Sequence, residues 1–291
     1  LFNIFHPDNA YDQSMARRVL HERGRGIVAD LKRWLAKHND NETARLEALW
    51  LHEAVDVVNA SLLMFTLEAN DHRIRAAAVR VLAHWNDRLA TSSLHAAAAI
   101  RDEHPRVRLE ATRVYGEMQN SPVAHQNAKD ALQVLEQPMD KFLDYGLWLT
   151  LNDLAEPFVK AMQNGSINLS KNPKHAEFAL KALEPSQAAA LVSKLVNQKG
   201  LPNDGEGPLI KLIGTAGGES ELALLFNQLK TGGFDEASQP HVLNALIKAA
   251  RLRSAWPTGS LSGLEQFIAS KHSAIRDSAI QLAGAWKQAP L

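Results

Sequence analysis

The chain contains no cysteine, no long apolar run and no excess of either charge. Without cysteine it has no disulfide framework, no thiolate metal site, no cysteine nucleophile and no C-x-x-C-H haem attachment. No stretch of about 18 apolar residues occurs, so no part of it is predicted to span a membrane. Its 32 basic and 32 acidic residues cancel. That balance disfavours a dedicated nucleic-acid clamp, because such proteins carry a basic excess or a basic stripe.

Motifs for catalysis or metal binding are also lacking. The chain has 12 histidines, but it has neither an H-x-x-x-H pair nor H-E-x-x-H, the spacings that zinc sites on helices need. His72 and His104 occupy nearly the same repeat position, which suggests a loop-packing or capping role. The glycines at 214–218 lack the Lys-Ser/Thr ending of a phosphate loop, so we interpret them as a turn between helices. We predict no catalytic residue, metal or cofactor in this segment.

What the chain does contain is an internal repeat. The run NDHRIRAAAVRVL at 70–82 returns as EHPRVRLEATRV at 103–114. Equivalent arginines lie 33 residues apart: Arg73 and Arg106, Arg75 and Arg108, Arg80 and Arg113. The sequence RLEA occurs at 45–48 and again at 108–111, and IRDSAIQL at 275–282 is a later copy of IRAAAVRV at 74–81. Repeats of this length mark a stacked helical array.

The repeat predicts an all-α fold, a right-handed α-α superhelix. Each unit is an outer helix, a short loop bearing Asp/Glu-His-(Pro)-Arg, and an inner helix. One helix pair cannot bury its apolar face alone, so neighbouring pairs must stack. We expect a single array over 1–291, with regular repeats at 1–118, divergent repeats at 119–260 and a terminal repeat at 261–291.

Several large apolar side chains are assigned to the core of this array. Residues 138–154 include Phe142, Tyr145 and Trp148, and we interpret the segment as a buried helix of a divergent repeat. Most tryptophans fall on apolar helix faces, so the core is their expected place. On the helix at 59–68 the predicted core residues are Leu62, Leu63, Phe65 and Leu67.

The repeat resembles known families at two levels. The run DHRIRAAAVR at 71–80 and its copy VRLEA at 107–111 resemble HEAT repeats, which belong to the HEAT/armadillo-like solenoids. More narrowly, four pieces in order resemble the HEAT-repeat region of bacterial, planctomycete-type membrane-bound dehydrogenase proteins. These pieces are ARRVL at 16–20, LEALW at 46–50, RAAAVRVL at 75–82 and DYGLWLTL at 144–151.

The narrower resemblance implies a larger parent protein. In that family a sugar-dehydrogenase-like β-propeller precedes the helical region and a c-type haem domain follows it. Haem c would then lie elsewhere in the parent, which would be exported across the inner membrane. The chain opens with Leu1 and has no targeting signal, so we expect a fragment of a longer protein.

The repeated arginines allow two interpretations. They could form a phosphate-binding ridge on the inner face, and we call this set the arginine ridge: Arg73, Arg75, Arg80, Arg106, Arg108, Arg113 and Arg276. Alternatively, Arg75, Arg108 and Arg276 pair with carboxylates of adjacent repeats through the planar guanidinium fork. The available partners are Glu47, Asp71, Asp102 and Glu110. The zero net charge favours the second interpretation.

Three functional hypotheses follow. The favoured one is a non-catalytic scaffold that binds a protein or neighbouring domains of the same chain along its inner-helix surface. The alternative is a nucleic-acid-binding array that uses the arginine ridge. In the third, the segment docks a haem or sugar-oxidising domain in an electron-transfer chain.

Overall fold

The computed structural model describes residues 10–169, 172–201 and 208–286, and every regular element in these ranges is helical. The α-helices are α1 (Ala10–Glu22), α2 (Val28–Leu35), α3 (Glu42–Ala54), α4 (Ala60–Leu67), α5 (His72–His84), α6 (Ser92–Ala99), α7 (Pro105–Glu117), α8 (Ala124–Ala131), α9 (Lys141–Asp153), α10 (Ala155–Asn164), α11 (Pro173–Ala182), α12 (Pro185–Lys199), α13 (Pro208–Ala216), α14 (Glu219–Lys230), α15 (Gln239–Arg253), α16 (Glu265–Ile268) and α17 (Ser273–Trp286). None of these helices is long and apolar enough to cross a lipid bilayer.

The chain divides into two compact units, Leu1–Leu154 and Ala155–Leu291. In the first unit α3, α5, α7 and α9 pack side by side in that order, and α4, α6 and α8 pack against them. In the second unit α11, α13, α15 and α17 pack side by side in the same way. This confirms the predicted all-α solenoid fold. The subdivision at 118 and 260 stays a prediction.

The inner helices of the first unit are α3, α5, α7 and α9, and each begins at a side-chain cap. A helix start leaves backbone N–H groups without partners, and a polar side chain just before it can accept from one of them. Asp71 accepts from the Arg73 N–H at 2.8 Å, and Pro105 stands at the first turn of α7, where no N–H is needed. The four capping residues are Asn41, Asp71, His104 and Asp140. Each inner helix then runs for 13 residues, which makes the layers equivalent.

Small and branched residues fill the space between these layers. On α5, Ala78, Val79 and Leu82 are fully buried. Trp85, the residue that follows the last turn of α5, is fully buried as well. Alanine lets neighbouring helices approach closely, while each buried leucine or valine contributes about 1.5–3 kcal/mol through removal from water. The core therefore lies between successive layers, as the repeat predicted.

The prediction of a buried helix at 138–154 is wrong for its aromatic side chains. Phe142, Tyr145 and Trp148 are 61%, 60% and 41% exposed. The helix positions of Tyr145 and Trp148 correspond to Ala76 and Val79 of α5, which the next inner helix buries. No helix of the first unit follows α9, so this face of α9 has no equivalent neighbour within the unit.

Core assignments elsewhere were also correct only in part. Leu62 and Leu63 are buried as predicted, but Phe65 is exposed and lies under the Arg45 guanidinium, 4.2 Å from the ring centre. Trp85 and Trp286 are buried, whereas Trp50 and Trp148 are exposed. Helical spacing identifies which side chains share a face, but a neighbouring helix decides whether that face is covered.

The second unit contains a close contact that depends on glycine. A Cβ added at Gly214 of α13 would lie 2.7 Å from the Ala245 carbonyl oxygen and 2.9 Å from its Cα, both on α15. Gly217 and Gly218 then join α13 to α14. Residues 214–218 are therefore a helix end and a turn, as predicted, and not a phosphate loop.

We expect Gly214→Ala to lower the free energy of unfolding by about 1–3 kcal/mol, because the added methyl overlaps the α15 backbone. The measurement is urea denaturation followed by circular dichroism. Gly284→Ala is the matched control, since a Cβ there meets nothing within 4 Å and alanine is the better helix former by about 1 kcal/mol. Equal effects of the two substitutions would contradict the close approach of α13 and α15.

Candidate interaction surface

The inner helices of the first unit place equivalent residues on one side at fixed distances from their caps. Most of these residues are exposed or partly exposed, but Glu47 and Gly146 are buried. Counting from the cap, places two, six, nine and thirteen fall on one side of each helix. We call these sixteen residues the exposed stripe. They are Thr43, Glu47, Trp50 and Ala54 on α3, Arg73, Ala77, Arg80 and His84 on α5, Arg106, Glu110, Arg113 and Glu117 on α7, and Phe142, Gly146, Leu149 and Asp153 on α9.

A different arginine position, four residues after the cap, is directed into the loops. It holds Arg45, Arg75 and Arg108, which we call the linking arginines. Each donates from Nη1 to the carbonyl oxygen six residues before it, at 2.7, 3.0 and 2.9 Å respectively. The guanidinium thus supplies a charged donor to a carbonyl of the preceding loop.

The linking arginines also reach the next repeat. Arg75 donates to both carboxylate oxygens of Asp102, from Nε at 2.7 Å and from Nη2 at 3.0 Å. Arg108 is 2% exposed and donates from Nη2 to the Pro138 carbonyl oxygen at 2.8 Å. Hydrogen bonding to Asp102 raises the pKa of Arg75, so the pair stays ionised. These side chains are structural links with no free cation to offer.

The exposed stripe carries its own ion pairs between layers. Glu110 accepts from Arg80 at 2.6 Å and from Arg106 at 2.9 Å. Arg113 reaches α9, where it donates to Asp153 at 2.9 Å and to the Thr150 hydroxyl at 3.0 Å. On the first layers Arg17 of α1 pairs with Glu47 of α3. Every arginine named here has a carboxylate partner on the neighbouring inner helix or its own.

The remaining two members of the arginine ridge differ from these. Arg73 is 80% exposed and forms a pair with its own cap, Asp71, at 2.7 Å. Its guanidinium and amide lower the pKa of Asp71 to about 2. Arg276 belongs to the second unit, where it lies 3.9 Å from Asp277.

The structure thus divides the arginine ridge. It places four of the predicted residues together on the exposed stripe: Arg73, Arg80, Arg106 and Arg113. Arg75 and Arg108 lie between the repeats instead, and the structure gives Arg276 a separate place in the second unit.

One linking residue was missed by the sequence analysis. Glu42 of α3 accepts from the backbone N–H of Asn70 at 2.8 Å and of Asp71 at 3.2 Å. Both backbone hydrogen bonds lower the pKa of Glu42. The residue stands next to the Asn41 cap, so only its place one residue after a cap could have indicated this role.

The two repeat histidines meet in the loop. The rings of His72 and His104 stack with centres 3.5 Å apart, and His104 Nδ1 accepts from the Arg106 N–H at 3.2 Å. The predicted capping role of His104 is confirmed. In the part of the chain that the structure describes, no three His, Asp or Glu side chains are grouped to hold a metal ion.

Comparison with known proteins agrees with this geometry. Residues 59–141 match the family model for HEAT repeats, a range that contains the five helices from α4 to α8 and so covers two of the linking arginines. The chain therefore contains a HEAT-repeat region. HEAT repeats generally act as protein-interaction scaffolds. No curated protein matches the chain.

We expect Arg108→Ala to lower the free energy of unfolding by about 2–4 kcal/mol, because it leaves three carbonyls without their charged donor. Urea denaturation followed by tryptophan fluorescence measures the change. Arg73→Ala is the control, since its exposed ion pair is screened by water and contributes little. A loss no larger than that of the control would show that Arg108 does not link the repeats.

We expect stability to fall as the pH drops from about 7.5 to about 5.5 through the ordinary histidine range. Burial, and then the positive charge of His72, lower the pKa of His104. The unfolded chain therefore binds the proton first, and protonation at Nδ1 removes the acceptor that caps α7. Asp102 opposes this shift, while Arg75 and Arg108 reinforce it.

The comparison is between wild type and His104→Asn, which keeps an acceptor but does not titrate. The variant's melting temperature should change less with pH than that of wild type. Burial lowers the pKa of His52 as well, but His52 is present in both proteins and its contribution cancels. An identical pH dependence in the two proteins would assign the effect to other groups.

Proposed function

We propose that this segment is a non-catalytic helical-repeat scaffold that binds a protein partner along the exposed stripe of its first unit. The observation that carries the proposal is the stripe's composition. It mixes paired arginines and carboxylates with exposed Trp50 and Phe142. Arginine and aromatic side chains are enriched where proteins bind proteins, and a stack of repeats offers them on an extended surface.

The pairing of the stripe arginines with carboxylates favours a protein partner over a nucleic acid. Binding to phosphates draws its affinity from cations that release counterions. Arg80 and Arg106 share Glu110, and Arg113 is held by Asp153. Each would have to leave a carboxylate to reach a phosphate, and the balanced net charge supplies no long-range attraction. Arginine–carboxylate pairs suit a partner with mixed charges.

We further propose that the scaffold belongs to a multidomain, dehydrogenase-like redox protein of bacterial type. This rests on the sequence resemblance at 16–20, 46–50, 75–82 and 144–151. In that setting the scaffold would hold neighbouring domains of the same chain, outside the inner membrane. The sequence flanking this segment tests the proposal. It requires a β-propeller before the helices and a C-x-x-C-H motif after them.

We expect the double substitution Arg73→Glu/Arg106→Glu to weaken partner binding at least about tenfold, which corresponds to 1.4 kcal/mol. Both residues are exposed in the first turn of their helices, where an acidic side chain is well tolerated. The measurement is cross-linking and pull-down with the full-length protein in an extract of its own cells, followed by titration of the captured partner.

The matched control is Arg18→Glu/Arg101→Glu, which changes net charge equally at exposed positions on α1 and just after α6. Equal losses in the two double variants would place the binding surface elsewhere. Turnover of a substrate by the isolated segment would overturn the scaffold proposal. A stable complex with DNA in a low-salt gel shift at micromolar protein would favour the nucleic-acid alternative.

A further inference from the structure

The second unit contains a groove whose charges are not balanced as those of the first unit are. It lies across α11, α13 and α15, which pack side by side. The close approach of α13 and α15 at Gly214 sets two of its walls next to each other. The groove encloses a cavity of about 390 Å³ that is lined by Glu177, Ile210, Lys211, His241, Asn244, Ala245 and Lys248.

Three lysines lie near Glu177 of this groove. Lys211 and Lys248 line the groove, and Lys181 lies beside it on α11. Lys181 pairs with Glu177 at 2.7 Å, one turn along α11. Lys248 on α15 is half-buried, and its ammonium lies 3.1 Å from the hydroxyl of Thr215 on α13. Lys211 is exposed on α13 between them. The hydrogen bond from Lys181 is the main cause of a lowered pKa at Glu177, and Lys248 and Lys211 add to it through space.

Among the residues that the structure describes, the groove has an excess of positive charge. Glu177 is the carboxylate with which these ammonium groups interact there, and Lys181 is already paired with it. Lys248 donates to a neutral hydroxyl. In the first unit each exposed arginine of the stripe has its own carboxylate at hydrogen-bond distance or shares one with a single neighbour. The groove therefore differs in kind from the exposed stripe.

We propose that this lysine groove, lined by Lys211 and Lys248 and flanked by Lys181, binds an acidic segment of a protein partner. Carboxylate side chains of the partner would pair with Lys211 and Lys248, while Glu177 stays paired with Lys181. Ile210 and Ala245 give the groove an apolar lining, and the Asn244 carboxamide offers both a donor and an acceptor to a peptide backbone. The site is in the second unit, so the proposal stands independently of the exposed stripe of the first.

A peptide fits these features better than a nucleic acid does. Phosphate backbones are bound by basic stripes that continue over many residues, whereas these cations are confined to three helices. Lysine provides a mobile point charge on a long stem, which suits carboxylates whose spacing along a chain is irregular.

Fluorescence anisotropy with a labelled peptide of alternating Glu and Gly tests the proposal on the intact chain. We expect saturable binding that weakens with added salt, and no binding of the matched peptide in which Gln replaces Glu. Lys211→Glu should weaken the acidic peptide at least about tenfold. The matched control is Lys160→Glu, which makes the same charge change at an exposed position of α10 in the same unit. This variant should bind the peptide as wild type does.

Three results would overturn the proposal. The first is equal binding of the Glu and Gln peptides. The second is an equal loss in the Lys211→Glu and Lys160→Glu proteins, which would reduce the effect to net charge. The third is displacement of the acidic peptide by an equimolar single-stranded oligonucleotide, which would assign the groove to phosphates. Circular dichroism of each variant confirms that the fold is retained, and Lys248→Gln supplies a second variant within the groove.

Discussion

A guanidinium placed four residues into an inner helix is the interaction on which the layered structure of the first unit depends. Arg45, Arg75 and Arg108 each bind a carbonyl six residues earlier and so fix the loop to the helix that follows it. Arg75 and Arg108 extend this link to the next repeat. The terminal nitrogens of the buried Arg108 find carbonyl partners both in its own loop and in the next repeat, so its burial depends on loop, helix and neighbour together.

The linking arginines explain how one repeated residue type serves two purposes. Places four and nine after the cap both carry arginine in α5 and α7. The first lies between layers and is buried or nearly so, while the second lies on the exposed stripe and pairs with the following layer. Structure and surface chemistry therefore come from the same short motif. The unit keeps a polar face for a partner without an excess of charge.

The two units offer contrasting surfaces. The arginines of the exposed stripe in the first unit are already paired with carboxylates. In the proposed complex, affinity would therefore come from shape complementarity, from aromatic contacts and from new ion pairs that replace the present ones. In the described part of the second unit, Lys211 and Lys248 line the groove while its carboxylate, Glu177, is paired with Lys181. The two proposed binding surfaces therefore differ in their chemistry.

The amino-acid sequence alone determined the helical repeat, the equivalence of Arg75 with Arg108 and a loop-packing or capping role for His104, because these depend on short-range spacing and on local hydrogen bonds. Only the tertiary structure decided that His104 caps α7, that Arg108 is buried while Arg73 is exposed, that the aromatic face of α9 is exposed, and that three lysines lie near one carboxylate. Helical spacing states which residues lie on the same face. Whether a face is covered, and whether a cation meets a carboxylate, depends on a helix about thirty residues away in the chain.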